Sequence, residues 1–251
     1  MNYLDYILIF ILGSMFGSLF NVIVNRAIIL KEEPYVKPSH CLFCNEKLKW
    51  YHNIPILSFI FLKGKCFFCK KRIPWDYFIF EIITAFTFLI IWHFYRFQIE
   101  ATILIPIFAI FILIAYIDFK TMTAYDINSF ILIFLIAIYQ YIFGQDLIVN
   151  LIAMAIMTSG IFYLSIIIEN VIGKEAIGSG DFMIFGAMGL LLGVEGSITA
   201  IAVGCCISAP ILIILRIKTL PFIPVLLLGT FIVFLTKFNY VQMLLKGQGF
   251  E

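Results

Sequence analysis

Apolar runs long enough to cross a bilayer follow one another along almost the whole chain. A helix needs about 20 mostly apolar residues to span the hydrocarbon. Such stretches fall near residues 4–25, 77–97, 101–118, 127–144, 147–169, 182–194, 197–216 and 220–237. Lipid offers no partner for a bare peptide group, so each run is expected to be helical. Of 251 residues, 63% are hydrophobic and only 13% charged, too greasy for a soluble globule or a disordered chain. A formal net charge of +2 also excludes a nucleic-acid binder that relies on overall charge. The expected fold is an all-α polytopic membrane protein of about eight transmembrane helices. The sixth run is short, and Gly193-Val-Glu-Gly196 is the expected turn between it and the seventh. Seven spans is the competing count. Met1–Tyr6 carries no basic residue, so the first run reads as a retained helix, not a cleaved signal.

Positive charge gives the orientation. Ten of the 17 basic residues lie between Arg26 and Arg72. With eight spans, Lys120, Lys174, Arg216 and Lys218 fall on the same side, leaving only Arg96, Lys237 and Lys246 opposite. The positive-inside rule then puts the loop after the first helix in the cytoplasm and both termini outside, in a cytoplasmic (inner) membrane.

That loop, residues 27–76, is the one soluble module between the first helix (1–26) and the remainder (77–251). At about 50 residues it needs a staple. Cys41-Leu-Phe-Cys44 and Cys66-Phe-Phe-Cys69, separated by 21 residues, supply four soft thiolates suited to tetrahedral Zn²⁺. Four thiolates leave no open coordination position, so such a zinc is structural. A cytoplasmic location argues against disulfides. Lys47, Lys49, Lys65, Lys70 and Lys71 read first as markers of the cytoplasmic side. Cys205 and Cys206, inside the seventh run, read as core packing.

Ionisable groups in membrane segments are costly and face protein or water. Glu81, Asp118, Asp126, Glu169 and Asp181 lie in or beside spans, all toward the cytoplasmic side. Asp118 ends the third run, and Asp181 opens the sixth after Gly178-Ser-Gly180, which favours a tight turn. Two acids at one membrane depth form a plausible dyad for activating water. The plain alternatives are an Asp118–Lys120 pair and a helix cap at Asp181. A helix dipole at Asp181 points to it as the ionised member, with Asp118 protonated. Asp126 and Glu169 read as boundary residues. Glu81, one turn into the second span and close to the cysteine loop, is harder to set aside. His52 has no spaced partner and His93 lies near the outer face, so neither is expected to be a ligand.

These segments resemble the type IV prepilin leader peptidase/N-methyltransferases, membrane aspartyl peptidases of the GxGD type. The likeness runs through Phe16-Gly-Ser-Leu-Phe-Asn-Val-Ile-Val-Asn-Arg26, both cysteine pairs, Leu48-Lys-Trp-Tyr-His-Asn-Ile-Pro55, Ile73-Pro74 and Phe80-Glu81. It continues through Ile117-Asp118-Phe-Lys-Thr-Met122, Gly178-Ser-Gly-Asp181 and Pro221-Phe-Ile-Pro224. Tyr125, Met183 and Ile223 stand where the family usually has proline, lysine and glycine.

The resemblance implies eight helices and an Asp118/Asp181 dyad near the cytoplasmic face. It implies cleavage of the basic leader of type IV prepilins or pseudopilins, then methylation of the new amino terminus from S-adenosylmethionine. On this reading the 27–76 loop serves methylation and 77–251 is the peptidase core. Glu81 is a candidate proton acceptor in methyl transfer; no nucleotide fingerprint marks where S-adenosylmethionine binds. The partners are then prepilin-like precursors and the bilayer, without nucleic acid. The rival readings are a peptidase with a purely structural zinc loop, and a proton-coupled transporter using the two aspartates. A transporter would be expected to place its acids near the midplane, within repeated halves.

Overall fold

The computed structural model describes residues 3–30, 39–41, 43–95, 99–123, 126–144, 146–173, 177–178, 180–215 and 221–247. Lys31, Lys37, Arg96, Lys174, Arg216 and Lys218, which bear on orientation, lie outside them, as does Tyr125. Among the described residues eight α-helices follow in order: α1 (Tyr3–Val22), α2 (Leu57–Phe61), α3 (Trp75–Phe94), α4 (Ile99–Thr121), α5 (Asp126–Phe143), α6 (Leu147–Ile172), α7 (Asp181–Leu215) and α8 (Phe222–Gly247). A π-helical segment, Ile23–Leu30, continues α1, and a 3₁₀ turn, Trp50–Asn53, precedes α2. Among the described residues there is no β-strand, only the isolated bridges His40–Lys47 and Lys65–Arg72.

Among the described residues six helices are long and apolar enough to cross a membrane, against about eight expected, and the part of α8 with described side chains, Phe222–Thr236, is apolar as well. The expected sixth and seventh runs are the two arms of α7, which part at Gly193, where φ of 75° and ψ of 179° interrupt the helix. The apolar burial pattern suits lipid surroundings: 67% of the membrane window of α4 is enclosed by protein, against 17% for α6. Ile148, Val149, Leu151 and Ile152 on α6 are exposed, which only a lipid contact makes favourable.

The chain forms two compact units, Met1–Ala109 and Ile110–Glu251, dividing within α4. Within the first unit α3 packs on α1. A Cβ added at Gly13 would lie 2.7 Å from the Ala85 Cα, and one at Gly17 2.6 Å from the Glu81 Cα. The spacing of Gly13 and Gly17 lets two helix backbones touch, as small residues do in membranes. Phe10 meets Phe86 edge-on beside this seam, and Phe16 meets Phe88. His93 is accounted for here, 3.2 Å from the Tyr6 hydroxyl through Nδ1.

In the second unit α7 packs on α5, α6 and α8. Its break at Gly193 releases carbonyls that would otherwise accept helical N–H groups. Gln140 of α5 is buried, and its side-chain amide donates to Leu190 O at 2.8 Å and Leu191 O at 3.1 Å. Replacing it, as in Gln140→Leu, strands both carbonyls in an apolar interior. The expected cost is about 1–3 kcal/mol, read as a lower thermal midpoint in detergent, with Gln140→Glu less damaging at low pH than at high pH.

Candidate functional site

The two cysteine pairs fold into the same knuckle. The Cys41 N–H donates to Glu46 O and the Asn45 N–H to Cys41 O; the Cys66 N–H donates to Lys71 O and the Lys70 N–H to Cys66 O. The residue after each second cysteine takes a left-handed conformation, φ 56° at Asn45 and 57° at Lys70. This turns the thiols of each pair toward a common point. All four sulfurs lie within 4.8 Å of one another, with Cys41 and Cys69 at 3.8 Å. Zinc–sulfur bonds of about 2.3 Å in a tetrahedron place sulfurs about 3.8 Å apart, so the donors fit the metal. A disulfide needs about 2.05 Å, and all four cysteines are free.

The Glu46 backbone lowers the pKa of the Cys44 thiol, but desolvation and the Cys41 and Cys69 thiols outweigh it and push it up to about 11. A metal therefore has protons to displace on binding. Lys70 and Lys71 lie over the Phe67 and Phe43 rings, each 5.0 Å from the centroid, and so support the knuckles as well as adding charge.

Glu81 is buried in α3 and accepts the Ile56 N–H at 2.7 Å through Oε2. Ser18 and Asn21 of α1 also hydrogen-bond its carboxylate. Ile56 itself sits at φ 63° and ψ −54°, an uncommon conformation for a β-branched residue. The cysteine module is thus tied to α3 through a strained amide. Beside this contact a cavity with about 160 Å³ of internal space is lined by residues of α1, the module and α3, among them Arg26, His52 and Glu81. His52 is buried, stacked 4.7 Å from the Phe67 ring, and among the described residues neither ring nitrogen has a hydrogen-bond partner.

The other acids belong to the second unit. Asp118 is buried near the end of α4, where the Met122 N–H closes the helix onto the Asp118 carbonyl and Met122 turns left-handed at φ 53°. Its Oδ2 accepts the Ile223 N–H at 2.9 Å, and the Phe222 N–H also points to this carboxylate. These are open amides of the first turn of α8. Asp181 begins α7, half-buried, its N–H closing a turn onto Gly178 O at 3.1 Å. The Gly178 N–H returns to the Asp181 carboxylate, and Asp118 lies close enough for the two charges to act on each other. Gly180 is buried in that turn, whereas Ser179 is outside the described residues. Phe185 and Phe222 pack α7 against α8 nearby, 5.8 Å between centroids.

Asp126 and Glu169 are exposed. Cys205 and Cys206 are a correction: both are exposed on α7 instead of packed in a core, as a membrane helix is free to present apolar side chains outward. The amide donors of Phe222 and Ile223 carried no side-chain signal. The flanking Pro221 and Pro224 were their only trace, since proline favours a helix start. Nothing in the spacing of His52 indicated an unpartnered ring.

These features define a multi-pass membrane protein with a paired-acid centre in one unit and a four-thiol module in the other. Residues 11–95 match the bacterial Peptidase A24 N-terminal domain, and residues 103–213 match the type IV leader peptidase family. The chain is 30% identical over 206 residues to the prepilin leader peptidase/N-methyltransferase of Vibrio cholerae, an alignment covering 78% of this chain and 80% of that one. The Bacillus subtilis protein of the same name is 28% identical over 247 residues, covering 95% and 97%. That of Neisseria gonorrhoeae is 26% identical over 252 residues, covering 89% and 88%. No solved structure matches. The chain belongs to the type IV leader peptidase family, and it is an enzyme.

The thiol cluster gives a direct prediction. Purified protein should carry about one zinc per chain, and Cys41→Ser should lose most of it and loosen the module to proteolysis. Metal content measured by plasma mass spectrometry, unchanged by the substitution, would contradict the four-thiolate site.

Proposed function

We propose that the protein removes the leader of type IV prepilin-like precursors by an Asp118/Asp181 dyad and then methylates the exposed amine from S-adenosylmethionine. The observation that carries the peptidase reading is the convergence of these two carboxylates, distant in sequence, with one anchored by amides at the start of α8. A carboxylate accepting two N–H groups at a helix N-terminus is favoured as the ionised member. This makes Asp118 the base and Asp181 the acid, reversing the assignment suggested by the dipole of α7 alone.

Asp118 takes a proton from water as the oxygen attacks the scissile carbonyl, while Asp181 donates its proton to the carbonyl oxygen. The tetrahedral intermediate then breaks its C–N bond. The leaving amine takes the proton held by Asp118, and Asp181 recovers its own from the intermediate's hydroxyl. A cytoplasmic placement of the dyad suits a substrate whose leader is basic and whose following segment is membrane-embedded.

The freed α-amine has an ordinary pKa near 7.7–8.0, so a fraction is already nucleophilic. S-adenosylmethionine supplies an electrophilic methyl group, and Glu81 is the acid assigned to take the amine's proton. The zinc module is structural in this scheme, because four thiolates occupy every coordination position.

The test is mass spectrometry of a prepilin incubated with enzyme and S-adenosylmethionine. Asp118→Asn and Asp181→Asn should each slow leader removal by about 10²–10⁴-fold or more. The asparagine of the first variant retains an oxygen for the α8 amides, so that protein should fold, whereas Asp118→Ala should also lower thermal stability. Because the pair works with a single shared proton, wild-type cleavage should fall at both low and high pH. Normal cleavage by either asparagine variant overturns the dyad. Cleavage without added methyl by enzyme supplied with cofactor leaves a peptidase alone.

A further inference from the structure

The sequence presents residues 27–76 as a soluble module, yet the turn around α2 is held at membrane depth. The spanning part of α3 begins at Trp75, and Glu81 lies about 9 Å further along its axis at ~1.5 Å per residue. The 2.7 Å bond from the Ile56 N–H to Glu81 therefore fixes the start of α2 beside the second turn of a spanning helix. Phe59 carries α2 back toward the surface, stacked 4.8 Å from the Phe78 ring and 5.1 Å from that of Trp75. At such a depth the neighbour of an outward side chain is lipid.

The outward face of α2 suits those surroundings. Leu57, Ile60 and Phe61 are exposed, Phe61 at 79%, while Phe59 is buried. Beside them a groove with about 340 Å³ of space is lined by Tyr51, Leu57, Phe61 and Phe67 among others. Water makes such an apolar face unfavourable, and an acyl chain makes it favourable. The backbone also meets the condition for entering hydrocarbon, that its polar groups be bonded within the protein. The Ser58, Ile60 and Leu62 N–H groups donate to Ile54, Ile56 and Ser58 O, and those of Lys63 and Gly64 turn back to Ile60 and Phe59 O. Exposed lysines flank the segment, Lys47 and Lys49 before it and Lys63 and Lys65 after it. Exposed Trp50 and Trp75 are the aromatic residues typical of a membrane–water boundary.

We propose that α2 and its groove form an interfacial anchor, seated in anionic phospholipid of the leaflet on the module's side. The positive-inside reading makes that the cytoplasmic leaflet. Leu57, Ile60 and Phe61 contact acyl chains, and Lys63 and Lys65 pair with the phosphates above them. The depth of about 9 Å falls within the ~5–10 Å reached by helices that rest in the interface. The same lysines repel a basic leader, which sets this surface apart from a docking site for the precursor. The anchor holds the four-thiol module against the bilayer instead of leaving it free in solvent.

The experiment places full-length zinc-loaded enzyme in nanodiscs of phosphatidylglycerol and phosphatidylethanolamine, doped with a phospholipid carrying a diazirine high in one acyl chain. After irradiation, mass spectrometry should find label on peptides containing Leu57, Ile60 or Phe61 as well as on α1 and α3. A prepilin added in excess should leave that label in place. Proteinase K should cut the module about tenfold faster in phosphatidylcholine nanodiscs than in the anionic ones, and Lys63→Gln combined with Lys65→Gln should abolish the difference. Phe61→Glu should lose most of the α2 label with zinc content unchanged, and the wild-type label carries the test if that variant fails to fold. Label on α1 and α3 without α2 overturns the anchor, and loss of the α2 label to added prepilin overturns it in favour of a protein partner. Equal cutting of the wild-type module in both lipids overturns the pairing with anionic headgroups.

Discussion

A peptide group inside a membrane protein has no water to fall back on, and every interruption of a helix must be answered by a partner. This requirement accounts for three polar side chains buried in the structure, Gln140, Asp118 and Glu81. The break at Gly193 frees two carbonyls, and Gln140 meets both. The first turn of α8 opens with bare amides, and Asp118 accepts from them. The turn before α2 projects the Ile56 amide, and Glu81 receives it. Each answer comes from an element far away in sequence, so the same bonds that satisfy the backbone also hold the fold together.

In two of the three cases the answering group is an acid, and that links structure to chemistry. A carboxylate that accepts backbone N–H groups keeps a fixed position and retains lone pairs for other work. Asp118 is thereby held close enough to Asp181 for the two charges to act on each other. The same logic puts Glu81 at the rim of a cavity with one oxygen committed. Preorganised charge in a site of low polarity acts more strongly than in water, which is what acid–base chemistry at a membrane requires.

Much of this was legible in the sequence because its signals are local. Long apolar runs dictate helices, Cys41/Cys44 and Cys66/Cys69 declare a four-thiol cluster, and the glycines before Asp181 mark a turn. The Gly193 break between the two arms of α7 was also readable from its surrounding glycines. What could not be read is recognition by the main chain. No side-chain pattern says that Ile223 lends its amide to Asp118 or that Ile56 lends its own to Glu81. Burial of His52 without a partner is likewise a property of the assembled module, since nothing three or four residues away distinguishes it. The outward direction of Cys205 and Cys206 was misjudged for a related reason: in lipid an apolar side chain gains little by turning inward.

The role of the main chain also explains why one departure from the family pattern is tolerable. Ile223 stands where the resemblance implies a glycine, at the point where α8 meets the acid pair. A role that depended on open space would suffer from the added side chain. Here the contact to Asp118 is made by the Ile223 N–H, which any residue except proline provides, while its side chain is fully buried. The substitution fills the interior behind the amide and leaves the donor in place. On the proposed reading, the part this position plays is a backbone direction set by the start of α8, and its side chain serves packing.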